Sequence, residues 1–262
     1  MGFQLALSGA LPALFFMWYV DKVDAKRPEP RQVLRKVALF GGLSTIPCII
    51  IELVLDKGFG INPKTVPGAL ETSFFSAALV EESAKAACLY LAVWRHPAFD
   101  ERLDGIVYAT RAGLGFALVE NIGYLLDANT AGGFIGIYMA RAFLAVPGHA
   151  IWAGFMGYYA ARKRFDNLGP GLFGGLLLGI LMHGSYDASL FTLGALPDSE
   201  KWMAIFLLPI PLIVVVGGYF WLRALGRQAL AADDAAEAKA VAAAQQAAAV
   251  RQVPRGFGFV LR

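Results

Sequence analysis

Residues 37–55 read VALFGGLSTIPCIIIELVL, nineteen positions in which Glu52 is the one ionisable side chain. About 20 apolar residues in a helix cross the hydrocarbon of a bilayer, and this stretch has that length. Six more runs of the same kind, at 3–20, 70–94, 105–126, 133–160, 171–192 and 202–222, bring the apolar total to 155 of 262 residues. The chain is 57% hydrophobic and only 16% charged, with a mean hydropathy of +0.55. A soluble domain carries about 25% charged residues. A soluble globular enzyme, a nucleic-acid binder and a disulfide-stapled secreted domain are excluded. The pattern predicts an all-α, polytopic membrane protein with about seven transmembrane helices.

Loop charges predict the orientation. Lys22, Lys26, Arg27, Arg31, Arg35, Lys36, Arg95, Arg102, Arg162, Lys163, Arg164, Arg223 and Arg227 fall on one side of a seven-span path, and Lys57, Lys64 and Lys201 on the other. Basic loops stay cytoplasmic, so the N-terminus is expected outside and the C-terminus inside. The first run has no basic residue ahead of it and reads as a retained span, not a removed signal peptide. Cys48 and Cys88 sit within apolar runs and read as buried small hydrophobes. Two regions are expected: a membrane-embedded unit over 1–225, and an alanine-rich helical tail in the cytoplasm over 226–262. Pro254, Gly256 and Gly258 suggest a loose end to that tail.

The informative residues are the ionisable ones within the spans, each costing roughly 2.5–3.5 kcal/mol at a bilayer centre. Run three holds Glu81, Glu82 and Lys85, run four Arg111 and Glu120, run five Arg141 and His149, and run six His183 and Asp187. Arg111 and Glu52 stand close enough to the ends of their runs to snorkel, and His96 reads as a solvated loop residue. At 1.5 Å per residue, Glu81, His149 and His183 share a band near mid-depth, with Glu120 somewhat nearer the outer face. Helical spacing lets Lys85 pair with Glu81 or Glu82, and lets Asp187 orient His183. Below His183, the glycines at 179, 175 and 171 permit close helix approach. Pro147 can kink run five just before His149.

Carboxylates and histidines at one depth suggest hydrolysis, a glutamate taking a proton from water while imidazoles bind a metal or stabilise an oxyanion. A buried ion-pair network that sets helix register and a proton-coupled transporter use the same residue types. No HExxH helix, Walker loop or GxSxG elbow is present.

Four motifs then stand in order on successive runs: Glu81-Glu82-Ser83-Ala84-Lys85 (EExxK), Phe116 to Glu120-Asn121 (FxxxEN), Pro147-Gly148-His149, and His183 to Asp187 (HxxxD). Asp104-Gly105, Gly113 and Gly115 precede the second. Between residues 70 and 192 the chain resembles the PrsW family of bacterial intramembrane proteases, distantly similar to type II CAAX prenyl proteases and to the multi-span scaffold subunit of gamma-secretase. The resemblance implies peptide-bond hydrolysis in a bacterial plasma membrane, on a single-pass membrane protein such as an anti-sigma factor. Carried onto these positions, it implies Glu81 as general base with Glu82 next. Glu120, His149 and His183 would be zinc ligands, Lys85 would balance Glu82, and Asp187 would support His183. A glutamate–histidine mechanism without metal, a CAAX-type enzyme and a non-catalytic scaffold or receptor stay open.

Overall fold

A computed structural model describes residues 3–252. The described residues are all-helical, with no strand among them. Helix α1 is Ala10–Val23, reached through one helical turn at Phe3–Ala6. Helix α2 is Arg31–Phe59. Helix α3 runs as Val66–Glu71, a π-helical stretch Thr72–Ala78, and Leu79–Val93. Helix α4 is Arg102–Leu126. Helix α5 runs as Ala131–Ala140, a π stretch Arg141–Ala145, and Val146–Asp166. Helix α6 is Gly171–Ala195. Helix α7 begins in short turns from Asp198, passes a π stretch Ile213–Gly217, and continues as Gly218–Gln252. These seven rods, among the described residues, coincide with the seven apolar runs. Four stretches are long and apolar enough to cross a membrane: Arg31–Phe59, Ala131–Asp166, Gly171–Ala195 and Asp198–Ala248. In α3 and α4 the ionisable residues dilute the apolar character.

The bundle encloses a buried polar cluster within an apolar core and is apolar at its rim. On α2, Leu39, Leu43, Ile46, Ile50 and Val54 are each more than half exposed, which suits a lipid solvent. The axis is α4, buried at every position from Leu103 to Ala117, as a helix packed on all sides must be. Small residues make that packing possible. A Cβ on Gly157 of α5 would sit 1.8 Å from the Gly105 carbonyl oxygen, and one on Gly113 would sit 2.4 Å from that of His149. Backbone therefore rests on backbone between α4 and α5.

At the end where the basic loops gather, α7 ties the bundle together. Asp233 accepts hydrogen bonds from the backbone N–H groups of Arg102 and Leu103 at 3.0–3.1 Å, capping the start of α4 from another helix. Arg102 also pairs with Asp233 and Asp166, and Arg27 with Glu101, Asp234 and Glu237. Burial pushes the nearby Asp24 carboxyl up to about 7. The helix crosses residue 225 without a break and extends through the alanine-rich segment. The expected loose end at 254–258 lies outside the described residues.

Two sequence expectations change here. Arg111 does not snorkel: it is buried and pairs with the Asp21 carboxylate and, at 3.3 Å, the Met17 carbonyl of α1. The segment before His149 is a π stretch, the form in which the helix absorbs its irregularity near Pro147.

Candidate active site

Helices α3, α4, α5 and α6 bring Glu81, Glu82, Lys85, Glu120, His149, His183 and Asp187 into one cluster. On α3, Lys85 Nζ donates to Glu82 Oε1 at 2.8 Å and to Glu81 Oε2 at 3.2 Å, the two pairings that spacings of three and four allow. The same ammonium lies 2.8 Å from His149 Nδ1 and 4.2 Å from the centroid of the Phe116 ring. A protonated lysine has only donors, so Nδ1 accepts and His149 carries its hydrogen on Nε2. That N–H donates to Glu120 Oε2 at 2.8 Å.

His183 arrives on α6, whose glycine ladder lies along α5. A Cβ on Gly175 would stand 2.7 Å from the Met156 Cα, and one on Gly179 3.5 Å from Glu82 Oε2. The ladder seats His183 on Trp152, with ring centroids 4.3 Å apart and planes 15° from parallel. Its Nδ1 is 3.0 Å from Glu82 Oε1 and its Nε2 is 3.2 Å from Asp187 Oδ2. One imidazole is thus held between two carboxylates, the expected Asp187 and also Glu82.

Accessibility grades across the cluster. Glu82 and Lys85 are sealed at 0% and 1% exposure, whereas the side chains of Asp187 and Glu120 keep 13% and 18%. Glu82 Oε2 is buried without a hydrogen-bond partner, an expensive state for a carboxylate oxygen.

Glu81, His149 and His183 each offer a ligand atom within 4.8 Å of the others. A carboxylate with two imidazoles is a donor set that divalent metals accept, and the partnerless Glu82 oxygen beside it adds charge. The residues fit a metal once the Lys85 ammonium gives up His149 Nδ1, since Glu120 already holds the other ring nitrogen. Glu120, a zinc ligand by the family resemblance, has its Oε2 2.8 Å from His149 Nε2 and 2.7 Å from an Arg141 nitrogen.

A family model described as PrsW family intramembrane metalloprotease matches residues 29–216. The chain belongs to the PrsW family. This PrsW-family chain is 34% identical over 214 residues to Protease PrsW of Geobacillus kaustophilus (strain HTA426), covering 79% of this chain and 88% of that protein. It is 32% identical to Protease PrsW of Bacillus subtilis (strain 168), over 78% and 89%, and 32% identical to that of Clostridioides difficile (strain 630), over 82% and 88%. No solved structure gives a significant match. The PrsW family comprises bacterial membrane proteases, so this chain is an intramembrane protease, a hydrolase of the bacterial membrane.

The structure adds PrsW-site residues that spacing did not reveal. Arg141 opens the π stretch of α5 and donates to Glu120 Oε2 at 2.7 Å and to Asn121 Oδ1 at 2.6 Å. Its guanidinium covers Tyr124 at 3.9 Å. Asn121 in turn donates to the Gly9 carbonyl at 2.7 Å. The signal was present, a lone arginine inside an apolar run, but no helical spacing points from residue 141 to residue 120. Glu52 is half-buried, within electrostatic range of Glu120, His183 and Lys85. His96 stays apart, accepting from the Ala98 N–H in a turn.

Proposed function

We propose that the chain hydrolyses a peptide bond of a single-pass membrane-anchored protein, such as an anti-sigma factor, within the cluster formed by α3, α4, α5 and α6. The observation that carries this reading is the convergence of two carboxylates and two imidazoles with a buried carboxylate oxygen left unpaired. A zinc ion held by Glu81, His149 and His183 would supply a Lewis acid for the scissile carbonyl and lower the pKa of water there. Glu82 then serves as the base, its free Oε2 accepting a proton from water while Lys85 holds Oε1. Glu120 fixes the His149 ring by taking its Nε2 hydrogen, and Arg141 fixes Glu120. Asp187 does the same for His183. This division of roles moves Glu120 from ligand to support and the base from Glu81 to Glu82. The membrane-embedded unit over 1–225 carries all of these residues, and the tail none.

A metal-independent mechanism is favoured by one contact set: the Lys85 ammonium already lies among Glu81, Glu82 and His149. In that reading Glu81 is the base, and His183 with Asp187 contacts the carbonyl. Metal content decides between the two. Active, detergent-purified protein is expected to hold roughly one zinc per chain, as a single site does. His149→Ala combined with His183→Ala should remove it. Metal near zero in an active preparation would leave only the glutamate–histidine route. Incubation with a purified single-pass substrate, followed by sequencing of the product ends, tests the activity itself: a cut within the span or beside it supports the proposal, and an intact substrate refutes it.

The proposed topology has seven spans, with the N-terminus outside and the C-terminus in the cytoplasm, supported by the thirteen-to-three division of basic residues. Cys48 and Cys88 are free and buried and can be replaced to give a thiol-free background. A Cβ at Gly58 or Gly132 meets nothing within 4 Å, and Ala25 and Leu168 are exposed. Gly58→Cys and Gly132→Cys should react with an impermeant thiol reagent on intact cells, Ala25→Cys and Leu168→Cys only after lysis. Labelling of position 25 from outside overturns the orientation.

A further inference from the structure

Between α1 and α7 lies a cavity of about 330 Å³, backed by α4 and α5. Its walls are almost wholly apolar: Phe16 and Val20 on α1, Ile106 and Val107 on α4, Ile151 on α5, and Leu222 on α7. The Tyr19 and Tyr219 hydroxyls, 2.9 Å apart, bridge the gap between the two flanking helices. An apolar space of this kind does not hold water. Towards the end of the bundle where the basic loops gather, the lining beside Leu103 and Leu230 includes Arg223 and Arg227. They are four apart, so they share one face of α7, and both are exposed.

The charge balance around them is uneven. The neighbouring acids are engaged elsewhere: Asp233 with Arg102, and Asp234 and Glu237 with Arg27. Neither Arg223 nor Arg227 takes part in an ion pair among the described residues. An apolar slot flanked by two cations, with Leu103 and Leu230 beside them, suits an amphiphile with an anionic head. A substrate helix fits poorly, for two reasons. With side chains a helix is at least 10 Å across, too thick for this volume. The α5 wall of the cavity is Pro147, Ala150 and Ile151, whereas His149 faces the other way, towards Phe116, Trp152 and His183. A peptide in the cavity would not reach the carboxylates.

We propose that this cavity binds one anionic phospholipid, an acyl chain between α1 and α7 and the phosphate on Arg223 and Arg227. The proposal depends on the basic end of α7 lying at a bilayer surface, and not on the assignment of catalytic roles. The lipid would press on the side of α5 opposite His149.

The test uses the full chain in neutral detergent, titrated with phosphatidylglycerol, with phosphatidylcholine of the same chains, and with glycerol 3-phosphate as the head alone. Native mass spectrometry counts bound lipid, and thermal unfolding reads its effect. One phosphatidylglycerol per chain should bind roughly thirtyfold more tightly than phosphatidylcholine, the worth of two arginines at an anionic surface, and should raise the unfolding midpoint. Glycerol 3-phosphate alone should do neither. Arg223→Gln with Arg227→Gln lies on the surface and should fold normally while losing the preference. Val20→Trp, which fills the slot without altering charge, should weaken both lipids. Equal binding of the two lipids by the wild type, or a preference that survives the double arginine variant, overturns the proposal. So does a photo-crosslinker at Leu222 that captures a single-pass protein substrate and no lipid.

Discussion

Glu82→Gln is expected to insert and fold like the wild type and to cleave a co-expressed single-pass substrate roughly 10²–10⁴ times more slowly, the usual worth of general acid–base catalysis. The glutamine amide keeps the size of the side chain and can still accept from Lys85, so the loss reports the missing base. It should leave the bound zinc in place, because the carboxylate that shares a ligand set with both imidazoles is that of Glu81. Glu81→Gln should lose activity to a similar extent and lose the metal as well. The two measurements, cleavage per folded molecule and zinc per chain, therefore separate the roles of adjacent carboxylates. If Glu81→Gln is inactive with its metal content unchanged while Glu82→Gln cleaves normally, the base is Glu81. If both cleave at the wild-type rate, neither carboxylate activates water and the mechanism proposed above fails.

Lys85→Met should act on stability as well as rate. The ammonium is 1% exposed and is the partner shared by Glu81, Glu82 and His149. Removing one member of a buried ion pair costs about 3–5 kcal/mol, because the charge left behind has neither water nor a partner. The amount of folded protein in the membrane should fall, and its unfolding midpoint in detergent should drop well below that of Glu82→Gln. Combining Lys85→Met with Glu82→Gln removes the more deeply buried of the two stranded carboxylates and should recover part of the stability without recovering cleavage. A Lys85→Met protein with wild-type stability would show that the ammonium carries no share of the cluster's electrostatic balance.

Contacts within a single helix were legible from spacing. Lys85 meets both glutamates, and Asp187 meets His183, because three and four residues bring side chains to one face. Contacts between helices were not. Which imidazole meets which carboxylate depends on how each rod is rotated about its axis, and here rotation follows from features that carry no charge. Gly113 lets α4 rest on the His149 carbonyl, and the glycine ladder of α6 seats His183 against Trp152 and Glu82. The π stretch that begins at Arg141 turns that side chain towards Glu120 and Asn121. Counting depth along the spans placed Glu120 nearest the outer face, and it keeps more exposure than Glu81 or Glu82. The same count put Glu52 at the rim, where an isolated helix would leave it. In the bundle α2 leans on the π stretch of α3, with Ser76 Oγ 3.5 Å from the Glu52 carbonyl oxygen, and Glu52 is half-buried.

The cap that Asp233 places on α4 has a consequence for the order in which the molecule is made. Arg102 and Asp233 are 131 residues apart, so the ribosome has finished the helix that bears Glu120 long before it polymerises the carboxylate that satisfies its first N–H groups. The Glu82–His183 contact also waits, for 101 residues. A nascent chain thus enters the translocon with Glu82 paired to Lys85 and its other partner, His183, still unmade. The contact between the two catalytic helices α3 and α6 therefore closes late in synthesis, and the cap on α4 later still.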